Sequence, residues 1–600
     1  MRQYFEKMDD LGKPFKIDQF DKMNGNAKQV EEAMQEIERE IERVKNAGIP
    51  AETVRKRGQM TVWDRIEYLV DPGHFYPLHT LYNPMENEEG MTGVIDGLAR
   101  IQGKWCVLIG FDNKVMAGAW IAGQAENNLR VTDLAKILHV PLVWLVNCSG
   151  VKLPEQEKVY ANRRGNGTCF FRHAELEQLG VPILAGVYGT NPAGGGYQAI
   201  SPTIMLAHKD ANMAVGGGGI VSGMSPKGFF DEEGAEQIIN ATRHFKEVPP
   251  GSVKIHHDVT GFFRAVYEKE TQVLDALKEY MLNLPSYSPK FFRVAQPAPP
   301  RYAPSELKYM IPMDQKAVYD FDSVLARLVD NSEHLEFRSK YGPEIYTGLV
   351  KVDGYLVGVI GNRLGLLGRY PEYTADYYGI GGKIYRQGLI KMNEFVTQCG
   401  RDRIPIIWFQ DTSGIDVGDT AEKAELLALG QSLIYSIEST PVPMMLIVLR
   451  KGTAAAHYIM GGPTANNHTA FTLGTAATEI YVMHGETAAV ASYARRLVKE
   501  KDAGKPLGPV IDKMNELARH YVRKSRPGYC AYTGFVDEVV RFEDMRKYMC
   551  AFANCAYQNP GSICPQHHMM LPRMIRSQVV HGLERPKAVK PAQAKTAEQK

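Results

Sequence analysis

Cysteine is scarce in this chain. Eight occur in 600 residues, at positions 106, 148, 169, 399, 530, 550, 555 and 564, and no two form a CxxC pair. That excludes a disulfide scaffold and the usual zinc frameworks, and it predicts scattered buried thiols in a reducing compartment. His567 and His568, close to the last cysteine, lack ligand spacing, so no metal site is expected. No run of about 18 apolar residues occurs, so no segment is predicted to cross a membrane. The opening MRQYFEKMDDLGKPF lacks the apolar core of a signal peptide. Neither charge dominates: 70 basic residues stand against 68 acidic ones, a formal net charge of +2, which argues against a nucleic-acid partner. The nucleotide signatures GxGxxG and GxxxxGK[ST] are missing as well.

What is present suggests two domains with appendages, since 600 residues exceed one ordinary core. Residues 26 to 48 read as an amphipathic helix, with Asn26 as N-cap and Gly48 as its stop. Val30, Met34, Ile37, Ile41 and Val44 form its narrow apolar stripe. The mixed charge around that stripe points to packing on its own domain or a sister subunit, not on a membrane. From about residue 94, short apolar runs end in glycine or polar turns before helical pattern, as in WCVLIGF (105–111), VPLVWLVN (140–147) and VPILAGVYG (181–189). Such texture predicts layered α/β units. A proline-rich stretch at 284–304 reads as an interdomain linker or a surface-wrapping segment. The tail from residue 584 has no apolar periodicity and is expected to be disordered.

The sequence also repeats itself. GLARIQGKWCVLIG (97–110) resembles GLVKVDGYLVGVIG (348–361), with Gly103 matching Gly354 at 354 − 103 = 251. VPLVWLVNCSGVK (140–152) resembles IPIIWFQDTSGID (404–416), with Gly150 matching Gly414 at 414 − 150 = 264. GTNPAGGGY (189–197) resembles GTAAAHY (452–458), with Tyr197 matching Tyr458 at 458 − 197 = 261. Three segments in one order at nearly constant offset mean that one domain occurs twice.

The glycines of PAGGGY, after an apolar run, require something to approach the backbone closely. Two uses stay open at this point. One is close packing of helix on strand. The other is an oxyanion hole, in which bare main-chain N–H groups hold charge developing on a carbonyl oxygen. NCSGVK (147–152) would supply the second loop, and DTSGID with RKGTAAAHY would form a related pair in the second half.

The same residues carry a family resemblance. RIEYLVDPGHF (65–75), SGVK (149–152), PAGGGY (192–197), YDFDSVLARLVD (319–330), DTSGIDVG (411–418) and RKGTAAAHYIM (450–460) resemble the carboxyltransferase subunits of biotin-dependent enzymes, over roughly residues 50 to 570. The resemblance implies an α/β fold of two tandem crotonase-like domains (ββα superhelices) behind an N-terminal helical extension. The implied divisions are 1–50 for the extension, 51–297 for the acyl-CoA side, 298–583 for the biotin side and 584–600 for the tail. Acyl-CoA carboxylases carry SGGAR where this chain has SGVKLPEQ, and Gly-Gly-Ala-Tyr where it has Ala454 to His457. Those departures, the extension and the segment 158–180 make the chain most similar to the family's sodium-pumping decarboxylase branch.

That branch implies transfer of the distal carboxylate of glutaconyl-CoA to biotin, giving crotonyl-CoA, as the first step of sodium export in anaerobic glutamate fermentation. A beta subunit of propionyl- or methylcrotonyl-CoA carboxylase is the alternative. Implied partners are a second copy of the chain, in a homodimer or larger homo-oligomer, a separate biotin carrier subunit, and an integral-membrane sodium-pumping decarboxylase subunit. The location implied is cytoplasmic, peripheral to the inner face of the membrane. The carrier motif Ala-Met-Lys-Met is absent from the chain, in keeping with biotin carried elsewhere. Losing the carboxyl group leaves a dienolate with charge on the thioester oxygen, and no catalytic base is needed for that half. The expected donors are the N–H groups of Val151 and Gly195, with Gly150 and Gly194 shaping the loops. Gly414 or Ile415, with Ala455 and Ala456, would serve biotin's ureido oxygen, and Lys152, Arg163, Arg164 and Arg172 are candidates for the coenzyme A phosphates.

Overall fold

The computed structural model describes residues 7–16, 20–160, 164–165, 167–199, 203–217, 231–247, 249–369 and 378–559. Two hairpins of equal length, Val94–Ile101 with Lys104–Phe111 and Ile345–Val352 with Tyr355–Asn362, open its two halves. Each turns through two left-handed residues, Gln102 and Gly103 (φ 52° and 76°) or Asp353 and Gly354 (φ 51° and 78°). That backbone matches the right-handed twist of the strands, which is why glycine recurs there. The registers are equivalent, Ile101 opposite Lys104 and Val352 opposite Tyr355.

Behind each hairpin, strands add in parallel and in the same order. The seven-stranded sheet runs Ala265–Tyr267, Ile204–His208, Ile183–Val187, Leu142–Val146, Lys104–Phe111, Val94–Ile101, Phe75–Leu78. The nine-stranded sheet runs, from its opposite edge, Asp9–Asp10, Glu333–Glu336, Ile345–Val352, Tyr355–Asn362, Ile406–Thr412, Met444–Thr453, Thr469–Gly474, Glu538–Val539, with Glu479–Tyr481 also pairing with Met444–Thr453. The expected apolar runs are strands, trimmed at their ends to Leu142–Val146 and Ile183–Val187 and buried throughout. Both faces of these central strands are covered, so their sequences read as continuous apolar runs instead of alternating.

The extension differs from its sequence reading. Its helix is Phe20–Lys45, beginning before Asn26, so Asn26 is no cap. The Asn26 Nδ2 instead donates to the carbonyls of Lys308 (2.8 Å) and Ile311 (2.9 Å), while its Oδ1 accepts from the Met313 N–H (2.8 Å). Arg541 forks between Glu31 and Glu38 on the same helix. The extension therefore docks on the second half, and Asp9–Asp10 joins that half's sheet. The 284–304 stretch wraps the second hairpin: Arg293 Nη2 meets Asp353 Oδ2 at 2.5 Å and the Val294 N–H donates to Gly354 O (2.9 Å). The expected disordered tail lies outside the described residues.

The halves join through a buried ionic cluster. His79, in left-handed backbone (φ 57°), sits between Asp96 of the first half (Nδ1 to Oδ1, 2.7 Å) and Asp537 of the second (Nε2 to Oδ1, 3.0 Å). Arg130 adds a bond to Asp537 Oδ1 (3.0 Å). Burial alone would push the imidazole down, but the two carboxylates outweigh it and raise His79 to about 10. Helix Met545–Gln558 adds a second tie, through Tyr548 to the Pro77 carbonyl (2.9 Å) and Tyr557 to the Leu356 carbonyl (2.7 Å).

The pH consequence has a definite sign. His79 is raised above its ordinary 6.5, so its stabilisation is complete below that value and lost as pH rises through about 10. His79→Gln should lower the melting temperature, leaving the buried Asp96 carboxylate without its cation at a cost of about 3–5 kcal/mol, while Asp537 keeps Arg130. It should also flatten the fall in melting temperature between about pH 7 and 10. A variant melting like the parent across that range would contradict the assignment.

Candidate active site

Strand Leu142–Val146 runs out into NCSGVK, which is clasped by Trp120. The Trp120 N–H donates to Gly150 O (2.8 Å), and the Lys152 N–H donates to Trp120 O (2.9 Å). In such a parallel bridge the middle residue, Val151, turns its N–H away from the partner strand. This is one lip of a cleft.

The other lip begins at Ala193, held at φ 48° and ψ −125° with its N–H on Ala214 O (2.7 Å). The short helix Gly194–Tyr197 follows, and its first-turn amides at Gly194 and Gly195 have no acceptor within the helix. The lips touch. A Cβ on Gly195 would lie 2.3 Å from the Cys148 carbonyl oxygen, and one on Gly194 would lie 2.7 Å from the Trp120 ring. Asn191 Oδ1 ties the loops by accepting from the Cys148 N–H (2.7 Å). Close packing therefore demands these glycines, and the amides at Gly194 and Gly195 are left without an acceptor inside the helix.

The second half repeats the arrangement. Ile384 stands where Trp120 does, bridging Ile415, at 384 − 120 = 264 and 415 − 151 = 264. The Asp416 N–H donates to Ile384 O (3.0 Å), so the Ile415 N–H points the opposite way, as Val151's does. Gly414, the other expected donor, gives its N–H to Thr412 Oγ1 (3.2 Å). Ala454 takes φ 48°, the same value as Ala193, at 454 − 193 = 261. Ala455 and Ala456 follow it in the helix Ala454–Ile459, the first exposed and the second buried.

Two buried titratable groups at the lips are held neutral. Burial pushes the Cys148 thiol up to about 12 and the His457 imidazole down to about 4. The three described basic candidates are engaged by carboxylates: Lys152 by Glu155, Arg164 by Glu126 (2.9 Å), and Arg172 by Asp133 (2.8 Å) and Glu175 (2.9 Å). Arg163 lies outside the described residues. Trp120, Asn191 and Ala193 escaped the sequence reading, although Trp120 keeps to Ile384 the same offset that Gly150 keeps to Gly414.

The family description "Carboxyl transferase domain" matches residues 53–571. The chain belongs to the carboxyl transferase family. It is 56% identical to the glutaconyl-CoA decarboxylase subunit alpha of Acidaminococcus fermentans, over 96% of this chain and 98% of that one. It is 25% identical to the biotin-dependent 3-methylcrotonyl-coenzyme A carboxylase beta1 subunit of Mycobacterium tuberculosis, over 84% and 89% of the two chains. The beta subunit of P. aeruginosa geranyl-CoA carboxylase superposes with a TM-score of 0.75 over 94% of this chain and 100% of that one, at 20% identity, which establishes the fold. The tandem crotonase-like architecture expected for a carboxyl transferase is the one found.

Gly195→Ala keeps its N–H, but its Cβ would lie 2.3 Å from the Cys148 carbonyl oxygen and push the amide out of line, so turnover should fall by about 10²–10³-fold, as when one oxyanion donor is lost. Ala456→Gly, at the equivalent place in the second lip, should leave the first lip's substrate affinity unchanged. Ala193→Gly should not lower the melting temperature, because glycine accepts positive φ without strain. A Gly195→Ala variant with parental turnover would contradict the placement of the first lip.

Proposed function

We propose that this chain is the carboxyltransferase subunit of a glutaconyl-CoA decarboxylase. It moves the distal carboxylate of glutaconyl-CoA to biotin on a separate carrier subunit and leaves crotonyl-CoA. The observation that carries the proposal is the pair of equivalent main-chain lips, one for each carbonyl-type oxygen that gains charge. The 56% likeness to the decarboxylase subunit selects the substrate within the family.

At the first lip, breaking the bond from C4 to the carboxylate leaves its electron pair in a dienolate that ends on the thioester oxygen. The N–H groups of Val151 and Gly195 stabilise that oxygen, an effect worth about 3–4 kcal/mol per donor in comparable sites. C4 then takes a proton, which completes crotonyl-CoA. At the second lip the residues fit a flat ureido group: a Cβ on Gly414 would meet nothing within 4 Å, and Ile415 presents its N–H there. Biotin, when bound, supplies the nitrogen that accepts the carboxyl group. Ile415 and the amides at Ala455 and Ala456 hold its oxygen as that nitrogen gives up its proton, and Gly150, Gly194 and Gly414 keep the lips narrow. Lys152, Arg164 and Arg172 remain proposed phosphate contacts, reached by exchanging their carboxylate partners, and Arg163 is proposed with them.

The acyl-CoA side would be residues 51–297 and the biotin side 298–583, meeting across a homodimer or larger homo-oligomer. A membrane subunit would complete the decarboxylation and export sodium ions, placing this chain on the cytoplasmic face of the membrane in glutamate-fermenting anaerobes. No described helix is long and apolar enough to cross a membrane. The purified chain with free biotin should consume glutaconyl-CoA and release crotonyl-CoA. Activity restricted to propionyl- or methylcrotonyl-CoA, in the carboxylating direction, would refute the substrate assignment.

A further inference from the structure

Helix Thr168–Gln178 lies in the segment 158–180, which departs from the acyl-CoA carboxylase pattern. Its inner face buries Cys169, His173, Leu176 and Glu177. Arg172 with Asp133 (2.8 Å) and Lys136 with Glu175 (2.5 Å) fix it to helix Gln124–Leu138. Phe170 points the other way and remains 36% exposed. Its ring is stacked 6.4 Å from Trp120 and tilted 5.5 Å from Tyr197 (centroid distances).

These rings adjoin the first lip directly. Trp120 holds the Val151 strand by its main chain, lies under Gly194, and bonds Gln198 Oε1 through its indole N–H (2.5 Å). Tyr197 ends the short helix that begins at Gly194. The three aromatics form a ledge, and two of them stay open to solvent.

The second half offers an internal comparison. The Leu142 N–H donates to Pro182 O and the Ile406 N–H to Pro443 O, so these prolines correspond, at 443 − 182 = 261. At that offset Phe170 corresponds to Gln431, while Trp120 corresponds to Ile384. Only Tyr197 keeps an aromatic counterpart, Tyr458. The ledge is thus aromatic beside one lip alone. A flat conjugated group gains from an aromatic face something that a saturated chain gains less.

We propose that Phe170, with Trp120 and Tyr197, is the face on which the planar enoyl group of the thioester stacks, so that Phe170 selects conjugated acyl groups over saturated ones. The proposal rests on the acyl-CoA reading of the first lip. Crotonyl-CoA and butyryl-CoA differ in this planarity and share the whole of coenzyme A, so their dissociation constants isolate the effect. The parent chain should bind crotonyl-CoA about three- to tenfold more tightly. Phe170→Leu should bring the ratio near one, mainly by weakening crotonyl-CoA, and Phe170→Tyr should restore it. Equal affinity in the parent, an unchanged ratio in Phe170→Leu, or an equal loss for both esters, as stacking with adenine would give, would overturn the proposal. Failure of both esters to bind the parent would overturn the acyl-CoA reading and the proposal with it.

Discussion

At Ala193 and Ala454 the backbone is held at φ 48°, a sparsely populated conformation that costs an L-residue roughly 1–3 kcal/mol. The first is pinned by a hydrogen bond to the Ala214 carbonyl and by loops that leave no room for a side chain at Gly195. The kink turns the chain sharply from strand to helix, so the first amides of the helix face the neighbouring loop. Everything the cleft can do chemically depends on that turn. A relaxed backbone at either alanine would redirect the amides.

The neighbouring lip answers a different constraint. A strand bridged on one side by Trp120 or Ile384 must send its middle N–H the other way, and this happens at Val151 and Ile415 alike. Two geometric necessities, a kinked helix start and a one-sided bridge, therefore meet to aim donors without spending a charged residue. Because such donors are fixed in the fold, they need no reorganisation when charge develops. The buried His79 cluster and helix Met545–Gln558 tie the halves, so both lips belong to one scaffold. The chemistry expected of two enolate-like oxygens is matched by a duplicated set of amides.

Much of this was legible in the sequence, for physical reasons. Gly103 and Gly354 aligned the two halves because few other residues accept the I′ turn that each hairpin makes there. Unbroken apolar runs marked the central strands because both faces are covered. The loops that carry Val151 and Gly195 stood out because the repeat showed loops recurring in pairs. What stayed hidden depends on contacts between segments distant in sequence. Asn26 has the composition of a helix cap, but acts as a clamp on the chain 282 residues and more away. The choice of Ile415 over Gly414 turned on a hydroxyl, Thr412 Oγ1, taking the Gly414 N–H. The basic residues looked available for phosphate because their carboxylate partners, such as Glu126 and Asp133, come from another helix.

The central claim is that main-chain amides of the first lip polarise the thioester carbonyl. Isotope-edited infrared spectroscopy of crotonyl-CoA labelled with carbon-13 at the thioester carbon tests it most directly. Binding to the parent chain should move the carbonyl stretch to lower frequency. The shift should vanish in Gly195→Ala, whose Cβ displaces the amide, and survive a bulky replacement of the exposed Ala455. A carbonyl frequency unchanged on binding, or a shift abolished by the second lip and not by the first, would contradict the account.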